Sequence, residues 1–330
     1  MNITILDDYQ NFVRTLACFS KVTGHHVTIW NDYTKNVEVL ADRLKDTEAL
    51  VLIRERTPIT ADLLRRLKKL RVISQYGQYP HIDVEACSSN GVILSARMGS
   101  SRTPSYATAE LNWGLTIAAL RHIPQENYST KAGKWQTSPI GTVMRGKTLG
   151  VYAYGEIGTV VAGYGKAFGM NVLVWGRETS LTNARKDGYA VAASREAFFE
   201  QSDIVSLHIP LLPDTRGIIT AADLARAKPT ALLVNTSRAG IIGPGVLAAA
   251  LRAGRPAMAA VDVFEEEPVG LNDPLLAMDN VICTPHLGYV ERNQLESMFS
   301  AMFDQVLAYA GGNPINVVNP KVLDVGQPKN

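Results

Sequence analysis

Three cysteines are all this 330-residue chain has, and they are scattered as Cys18, Cys87 and Cys283. An odd, dispersed set rules out a disulfide framework and the paired spacing of a thiolate metal site. Buried, reduced thiols in a cytoplasmic protein are the expectation, with no metal. No run of about eighteen apolar residues occurs, so no membrane span is expected. The opening MNITILDDY lacks a basic stretch followed by an apolar one, and no signal peptide is expected. Charge of one sign is also missing: 33 basic against 31 acidic residues leave +2, too little to call for nucleic acid or an anionic membrane as partner. There is no low-complexity tract and no short-period repeat.

What is present is ordinary globular material, 46% hydrophobic and 19% charged, enough for about two domains with sizeable cores. Short apolar runs alternate with helical patterns. Strands are expected at Ile3–Leu6, Val27–Trp30, Leu50–Ile53, Val72–Gln75 and Val92–Ser95, with helices such as Ala61–Lys69, capped by Thr60, between them. Thr103–His122 reads as one long helix, and 123–146, holding Trp135, reads as polar and irregular. A second series follows at Thr148–Ala153, Val172–Trp175, Asp203–Leu207, Ala231–Asn235, Met258–Val263 and Val281–Thr284. Arg292–Ala310 reads as a last helix before a Pro/Asn-rich tail. This rhythm predicts an α/β protein of two Rossmann-like, doubly wound parallel-sheet domains with a cleft between them.

Lys147–Met170 reads KTLGVYAYGEIGTVVAGYGKAFGM: strand, glycine turn, amphipathic helix, the context a dinucleotide fingerprint requires. Gly155 would let the backbone approach a pyrophosphate, and Gly158 would let helix and strand pack closely. The amides of Glu156 and Ile157 would face the phosphates. Ala153 stands where the first glycine of the fingerprint belongs, and an ordinary tight turn is the competing reading. At the end of the next strand, where NAD enzymes carry an acidic residue on the adenosine ribose, the chain has Gly176 and then Arg177. With no carboxylate to repel a 2′-phosphate and a guanidinium, Thr179 and Ser180 beside it, NAD(P) binding with NADP favoured is expected. The competing reading has Arg177 in solvent and Glu178 on the ribose.

Three further motifs end strands in the same half. TALLVNTSRAGII delivers Arg238, AVDVFEEEP delivers Asp262 and three glutamates, and VICTPHLG delivers His286. Each alone is weak: a surface arginine, a solvated acidic turn, a structural histidine. Together they are the groups keto-acid reduction needs. A cationic fork binds the substrate carboxylate, an imidazolium protonates the carbonyl oxygen, and a carboxylate orients that imidazolium and favours its charged form.

With TLGVYAYGEIG, SLHIPLLPDTRGII, LVNTSRAG, AAVDVFEEEP and TPHLG in order, the chain resembles the D-isomer-specific 2-hydroxyacid dehydrogenase family. That resemblance implies a hydride transfer between a nicotinamide cofactor and a small D-2-hydroxy acid or 2-keto acid of phosphoglycerate, glyoxylate or hydroxypyruvate type. It implies Arg238 on the substrate carboxylate, Glu267 as partner of His286, and His286 as acid/base. It implies Asp262 on the nicotinamide carboxamide, Thr236 and Ser237 beside the nicotinamide ribose, and Ile209, Pro210 and Thr215 along the cofactor wall. His208 is read as structural.

LIRERTPIT resembles the substrate-domain loop, making Arg54 and Arg56 candidates for the far end of the substrate. SQYGQYPHIDV resembles the loop whose amides cradle the carboxylate, making Gly77, Gln78 and Tyr79 candidates, although Tyr79 and Pro80 make it bulkier than the family's glycine-rich form. Tyr289 replaces a small residue common after the histidine's glycine. The implied domains are 1–104 plus 293–330 for substrate and 105–292 for dinucleotide, in a homodimer with the helix after Thr103 and the Trp135 arm contributing to the interface. Within the fold, a formate dehydrogenase calls for an amide beside the histidine, which Glu267 contradicts. A nucleotide-sensing corepressor or scaffold is the alternative from another class.

Overall fold

The computed structural model describes residues 1–98 and 106–324. The chain divides into two compact units, Met1–Arg102 with Glu291–Asn330, and Thr103–Val290.

The first unit holds five parallel strands: β1 (Asn2–Ile5), β2 (His26–Ile29), β3 (Ala49–Val51), β4 (Val72–Tyr76) and β5 (Ile93–Arg97). Their order in the sheet is β2-β1-β3-β4-β5, so the order reverses between β1 and β3. Leu50, Leu52, Ile73 and Leu94 pack with Leu63, Leu64 and Leu67 of the helical side into one core cluster. Thr60 caps the helix Ala61–Arg66 by accepting from the Leu63 amide, as the sequence implies. The opposite face is closed by the helix Arg292–Ala310, whose buried Phe299 and Phe303 stack against Phe12 and Phe19.

The second unit carries seven parallel strands: β6 (Thr148–Tyr152), β7 (Asn171–Trp175), β8 (Ala190–Val191), β9 (Ile204–Leu207), β10 (Leu232–Asn235), β11 (Met258–Val261) and β12 (Val281–Cys283). The order β12-β11-β10-β9-β6-β7-β8 places the reversal between β6 and β9. Alternating side chains feed two cores. Leu149, Val151, Leu232 and Val234 meet the helices Tyr106–Leu120 and Glu156–Ala167 on one face. Tyr152, Leu173, Val205, Leu207 and Leu233 meet Phe198, Phe199, Leu224, Leu247 and Leu251 on the other. A sheet covered on both faces needs apolar residues at nearly every strand position, which is why these strands read as continuous runs.

Two local expectations change. The stretch 123–146 is not wholly irregular, because Ile123–Lys131 forms a helix. His122 in left-handed backbone (φ 52°) ends the preceding helix, and Pro124 starts this one. None of its residues is buried, so it carries no apolar period to read. The two-residue edge strand β8 is too short to signal itself. The expected start of the long helix at Thr103 lies outside the described residues.

Candidate active site

In open α/β sheets ligands collect outside the carboxyl ends of the strands, at the point where strand order reverses. In the second unit that point lies between β6 and β9. The turn after β6 is the fingerprint AYGEIG. Ala153, in the place of the missing glycine, adopts φ 73° regardless, so the left-handed turn forms without glycine's freedom. Gly155 has open space where a Cβ would stand, as close approach of a pyrophosphate requires. At Gly158 a Cβ would lie 2.2 Å from the Ala153 carbonyl oxygen, so only glycine lets the helix Glu156–Ala167 start against the strand. Glu156 and Ile157 occupy its first turn, where the amides and the helix dipole favour an anion. The residues present fit a dinucleotide. Tyr154 points away from this turn: its hydroxyl donates to Asp187 Oδ2 at 2.9 Å, and burial and that carboxylate raise its pKa.

At the end of β7, a Cβ on Gly176 would press at 3.3 Å on both Ala153 Cα and Ser180 Cβ. The glycine is therefore a packing requirement as well as an absent carboxylate. Arg177 is exposed and precedes the helix Glu178–Lys186. Glu178 is drawn along that helix, its carboxylate accepting from Arg185 at 3.1 Å and Thr182 at 3.4 Å. Ser180 Oγ accepts from the Tyr154 amide at 3.3 Å. After β9, Ile209 and Thr215 are buried and Pro210 is exposed. The Thr215 hydroxyl is engaged within its own loop, donating to the Pro210 carbonyl at 2.6 Å and accepting from the Leu212 amide at 2.7 Å. His208 Nε2 lies 3.0 Å from Ser206 Oγ, its Nδ1 is buried, and burial pushes its pKa down to about 3. A neutral, inward imidazole agrees with the structural reading of His208.

The turn after β10 is organised by Asn235. Its side chain donates to the Arg238 carbonyl and accepts from the Ser237 amide, both at 3.0 Å. Ser237 Oγ donates to the Leu207 carbonyl at 2.8 Å, and buried Thr236 accepts from Asn112 at 3.1 Å. Arg238 therefore leaves a turn whose polar groups are matched, and its Nη1 donates to the Ser237 carbonyl at 2.8 Å.

The decisive contact joins the turns after β11 and β12. His286 Nδ1 lies 2.7 Å from Glu267 Oε2. Glu267 Oε1 accepts from the Phe264 amide at 3.0 Å, which fixes the carboxylate. Burial pushes this carboxyl up. The bond and charge of His286, the Phe264 amide and the Arg238 charge outweigh that and hold it below the usual glutamate range. Of the three glutamates, Glu265 turns instead to the Gly245 amide.

Asp262 sits beneath, fully buried. Its Oδ1 accepts from Thr284 Oγ1 at 2.6 Å and the Leu287 amide at 2.7 Å, and its Oδ2 from the Gly288 amide at 2.8 Å. Burial raises its pKa against those bonds. Asp262 thus pins the turn that carries His286, itself in left-handed backbone (φ 55°). That structural part, and those of Thr284 and Asn235, belong to residues inside the quoted motifs, but the sequence alone gives them no such role.

In the first unit, Arg54 and Gly77 lie together: a Cβ on Gly77 would stand 3.4 Å from Arg54 Nη1. Arg54 is left-handed (φ 60°) and pairs with Glu55 at 3.5 Å. Arg56 donates to the Asp7 carbonyl at 2.6 Å and stacks over Tyr9 at 4.5 Å. Of the three backbone amides expected to cradle a carboxylate, one is already engaged. The Gly77 amide is already donated to the Arg97 carbonyl at 2.9 Å, because it continues the β4–β5 ladder. The Tyr79 side chain packs on the unit's core. The amides of Gln78 and Tyr79 have no protein acceptor among the described residues. No group of three or more potential metal ligands occurs among the described residues, and none of their helices is long and apolar enough to cross a membrane.

Strand order, glycine turn and carboxyl-edge residues together define an oxidoreductase built on a dinucleotide-binding sheet. Residues 113–288 match the D-isomer specific 2-hydroxyacid dehydrogenase, NAD binding domain. A glyoxylate reductase of Aeropyrum pernix is 36% identical over 329 residues, covering 96% of each chain. A D-3-phosphoglycerate dehydrogenase of Methanocaldococcus jannaschii is 37% identical over 285 residues, 86% of this chain and 53% of that one. The solved structure of a candidate D-3-phosphoglycerate dehydrogenase oxidoreductase from Ralstonia solanacearum superposes with a TM-score of 0.92 at 51% identity, covering 98% of each chain. The chain belongs to the D-isomer specific 2-hydroxyacid dehydrogenase family. It is an oxidoreductase that uses a nicotinamide cofactor.

Proposed function

We propose that this enzyme reduces a small 2-keto acid of glyoxylate, hydroxypyruvate or phosphohydroxypyruvate type, with NADPH preferred over NADH. The observation that carries the chemistry is the 2.7 Å contact between His286 and Glu267, in the turns after neighbouring strands, with the Arg238 charge acting on the same carboxylate. The nicotinamide supplies the hydride. Arg238 binds the substrate carboxylate through its planar fork and polarises the adjacent carbonyl. His286, held by Glu267, gives a proton from Nε2 to the carbonyl oxygen, and takes one back in the oxidative direction. Asp262, Thr236, Ser237 and the 209–215 loop form the cofactor's nicotinamide side. Gly155 to Gly158 receive the pyrophosphate. The first unit serves as the substrate-binding domain, with the Gln78 and Tyr79 amides as donors and Arg54 and Arg56 toward the substrate's variable end.

Support for NADP comes from the end of β7, where no carboxylate follows the strand and Glu178 is turned toward Arg185. Arg177 would supply one charge-assisted contact to a 2′-phosphate, worth roughly 1.5–3 kcal/mol. That is a preference of roughly ten- to a hundredfold in kcat/KM. Since Gly176 cannot take a side chain without displacing its neighbours, Arg177→Ala is the clean test. It is expected to erase the NADPH preference and leave NADH kinetics nearly unchanged. Equal use of both cofactors by the unmodified enzyme would end the NADP reading. A panel of the three keto acids with both cofactors tests the substrate class.

Two further readings complete the proposal. A homodimer is supported by large apolar side chains standing in solvent on the 123–143 arm, among them Trp135 at 78% exposure and Ile140 at 99%. A cytoplasmic location is supported by three unpaired thiols whose pKa values burial raises to about 12 for Cys18 and Cys87 and about 11 for Cys283.

A further inference from the structure

Tyr289 is the residue of the TPHLGY segment that the reaction leaves without a part. It is 6% exposed, and its ring stands edge-to-face against the His286 imidazole, with centroids 5.8 Å apart and planes at 79°. The backbone around His286 is already fixed. The Leu287 and Gly288 amides are held by Asp262, and the Val290 amide closes a turn onto the Leu287 carbonyl at 2.8 Å. Gly288 has no room to shift its neighbours, since a Cβ there would meet Thr108 and Asp262 at 3.2–3.3 Å. The imidazole itself has one side-chain hydrogen bond among the described residues, at Nδ1 to Glu267. A planar ring held covalently at Cγ and by one hydrogen bond at the adjacent Nδ1 can still rock about the line through those two atoms. A second ring standing nearly perpendicular to it removes the rocking, and aromatic pairs favour this geometry.

We propose that Tyr289 is a positioning residue for His286, a clamp that holds the imidazole in the one orientation where Nδ1 meets Glu267 and Nε2 faces the reacting carbonyl oxygen. The proposal rests on His286 being the proton donor. It assigns the work to the ring of Tyr289, not to its hydroxyl.

The test compares Tyr289→Ala with Tyr289→Phe in the full-length enzyme. The alanine variant loses roughly ten- to a hundredfold in kcat, the scale of a mispositioned catalytic group, with cofactor affinity unchanged. The phenylalanine variant stays close to the parent. A readout that needs no turnover accompanies this: the far-downfield proton resonance of His286 Nδ1–H in the hydrogen bond to Glu267, assigned by its loss in Glu267→Gln. It persists in the parent and in Tyr289→Phe, and broadens away in Tyr289→Ala as the ring gains freedom and solvent exchange. Should Tyr289→Ala fail to fold, Tyr289→Val replaces it, since valine stays apolar but is too short to reach the imidazole. The clamp is overturned if the truncated variant keeps both the resonance and kcat, if kcat falls while the resonance is unchanged, or if Tyr289→Phe is as impaired as Tyr289→Ala. If no 2-keto acid is turned over by the parent enzyme, the functional reading fails, and the resonance alone still decides the clamp.

Discussion

His286 has Nδ1 engaged by Glu267 and no protein partner at Nε2 among the described residues, so one end of the ring is anchored and the other is open, as the proposed proton donor requires. His286→Gln is expected to lower kcat for keto-acid reduction by roughly 10²–10⁴-fold with little change in cofactor affinity, measured under conditions where chemistry limits the rate. Glu267→Gln replaces the carboxylate that holds His286 Nδ1 at 2.7 Å, so kcat for reduction should fall by roughly ten- to a hundredfold with cofactor affinity little changed. An unchanged kcat would break the pairing. The same contact has a stability side with a definite sign. Glu267 is held below its ordinary 4.5, so the stabilisation is present above that value and is lost as pH falls through the lowered one.

Much of this site was legible from residue types at strand ends, because a strand delivers its next residues to a known edge of the sheet. Arg238, Glu267 and His286 follow from that rule and from family resemblance. Asp262 pinning the His286 turn, Asn235 organising the Arg238 turn and the Gly77 amide already in use did not. Each depends on which backbone amide a buried group meets after the turns have closed, and no spacing in the chain records that.

At the scale of elements, the glycine turn after β6 separates two requirements that one motif combines. Gly155 has ordinary backbone dihedrals (φ −101°, ψ −158°) and empty space at its Cβ position, whereas Gly158 has a carbonyl 2.2 Å from that position. Gly155→Ala should therefore leave the melting temperature nearly unchanged while weakening cofactor binding, because the methyl stands where a pyrophosphate must come close. Gly158→Ala should lower both, by about 1–3 kcal/mol in stability if it behaves as ordinary overpacking. Calorimetry with and without cofactor distinguishes the two, and a Gly155→Ala enzyme with normal cofactor affinity would remove this turn from the binding site.

Elements with a buried face declared themselves. The helix Arg292–Ala310 matches its expected bounds because Leu295, Met298, Phe299, Met302 and Phe303 mark its inner side. Ile123–Lys131 buries nothing and was missed for that reason.

For the molecule as a whole, two histidines are held neutral by burial. The His208 pKa falls to about 3, and that of His81, whose ring nitrogens are both buried without partners among the described residues, to about 4, from an ordinary 6.5. Between those values and 6.5 the unfolded chain binds the protons and the folded one does not, so stability should decline as pH falls from about 6.5. His208→Gln should flatten that decline in urea titrations across the same window, and an unaltered slope would mean that His208 gains its proton without unfolding. The 123–143 arm, with Trp135 and Ile140 exposed on it, makes a separate prediction. Trp135→Asp combined with Ile140→Asp should shift sedimentation from dimer to monomer without altering the circular dichroism of the folded protein. A monomeric parent enzyme would overturn the homodimer reading.

The two units are threaded differently. The second is one uninterrupted run, Thr103–Val290, whereas the first is begun by Met1–Arg102 and completed only by Glu291–Asn330. On a ribosome, the first hundred residues therefore emerge with one face of their sheet bare, and they wait through the synthesis of nearly two hundred more before Phe299 and Phe303 arrive to cover it. At elongation speeds of about 5–20 residues per second that wait lasts roughly ten to forty seconds. The cofactor domain has the opposite schedule, complete before the helix Arg292–Ala310 is made. Nascent chains of this enzyme should thus carry a finished nucleotide-binding sheet beside a half-built one, and the exposed face of the latter is where a chaperone would first find something to hold.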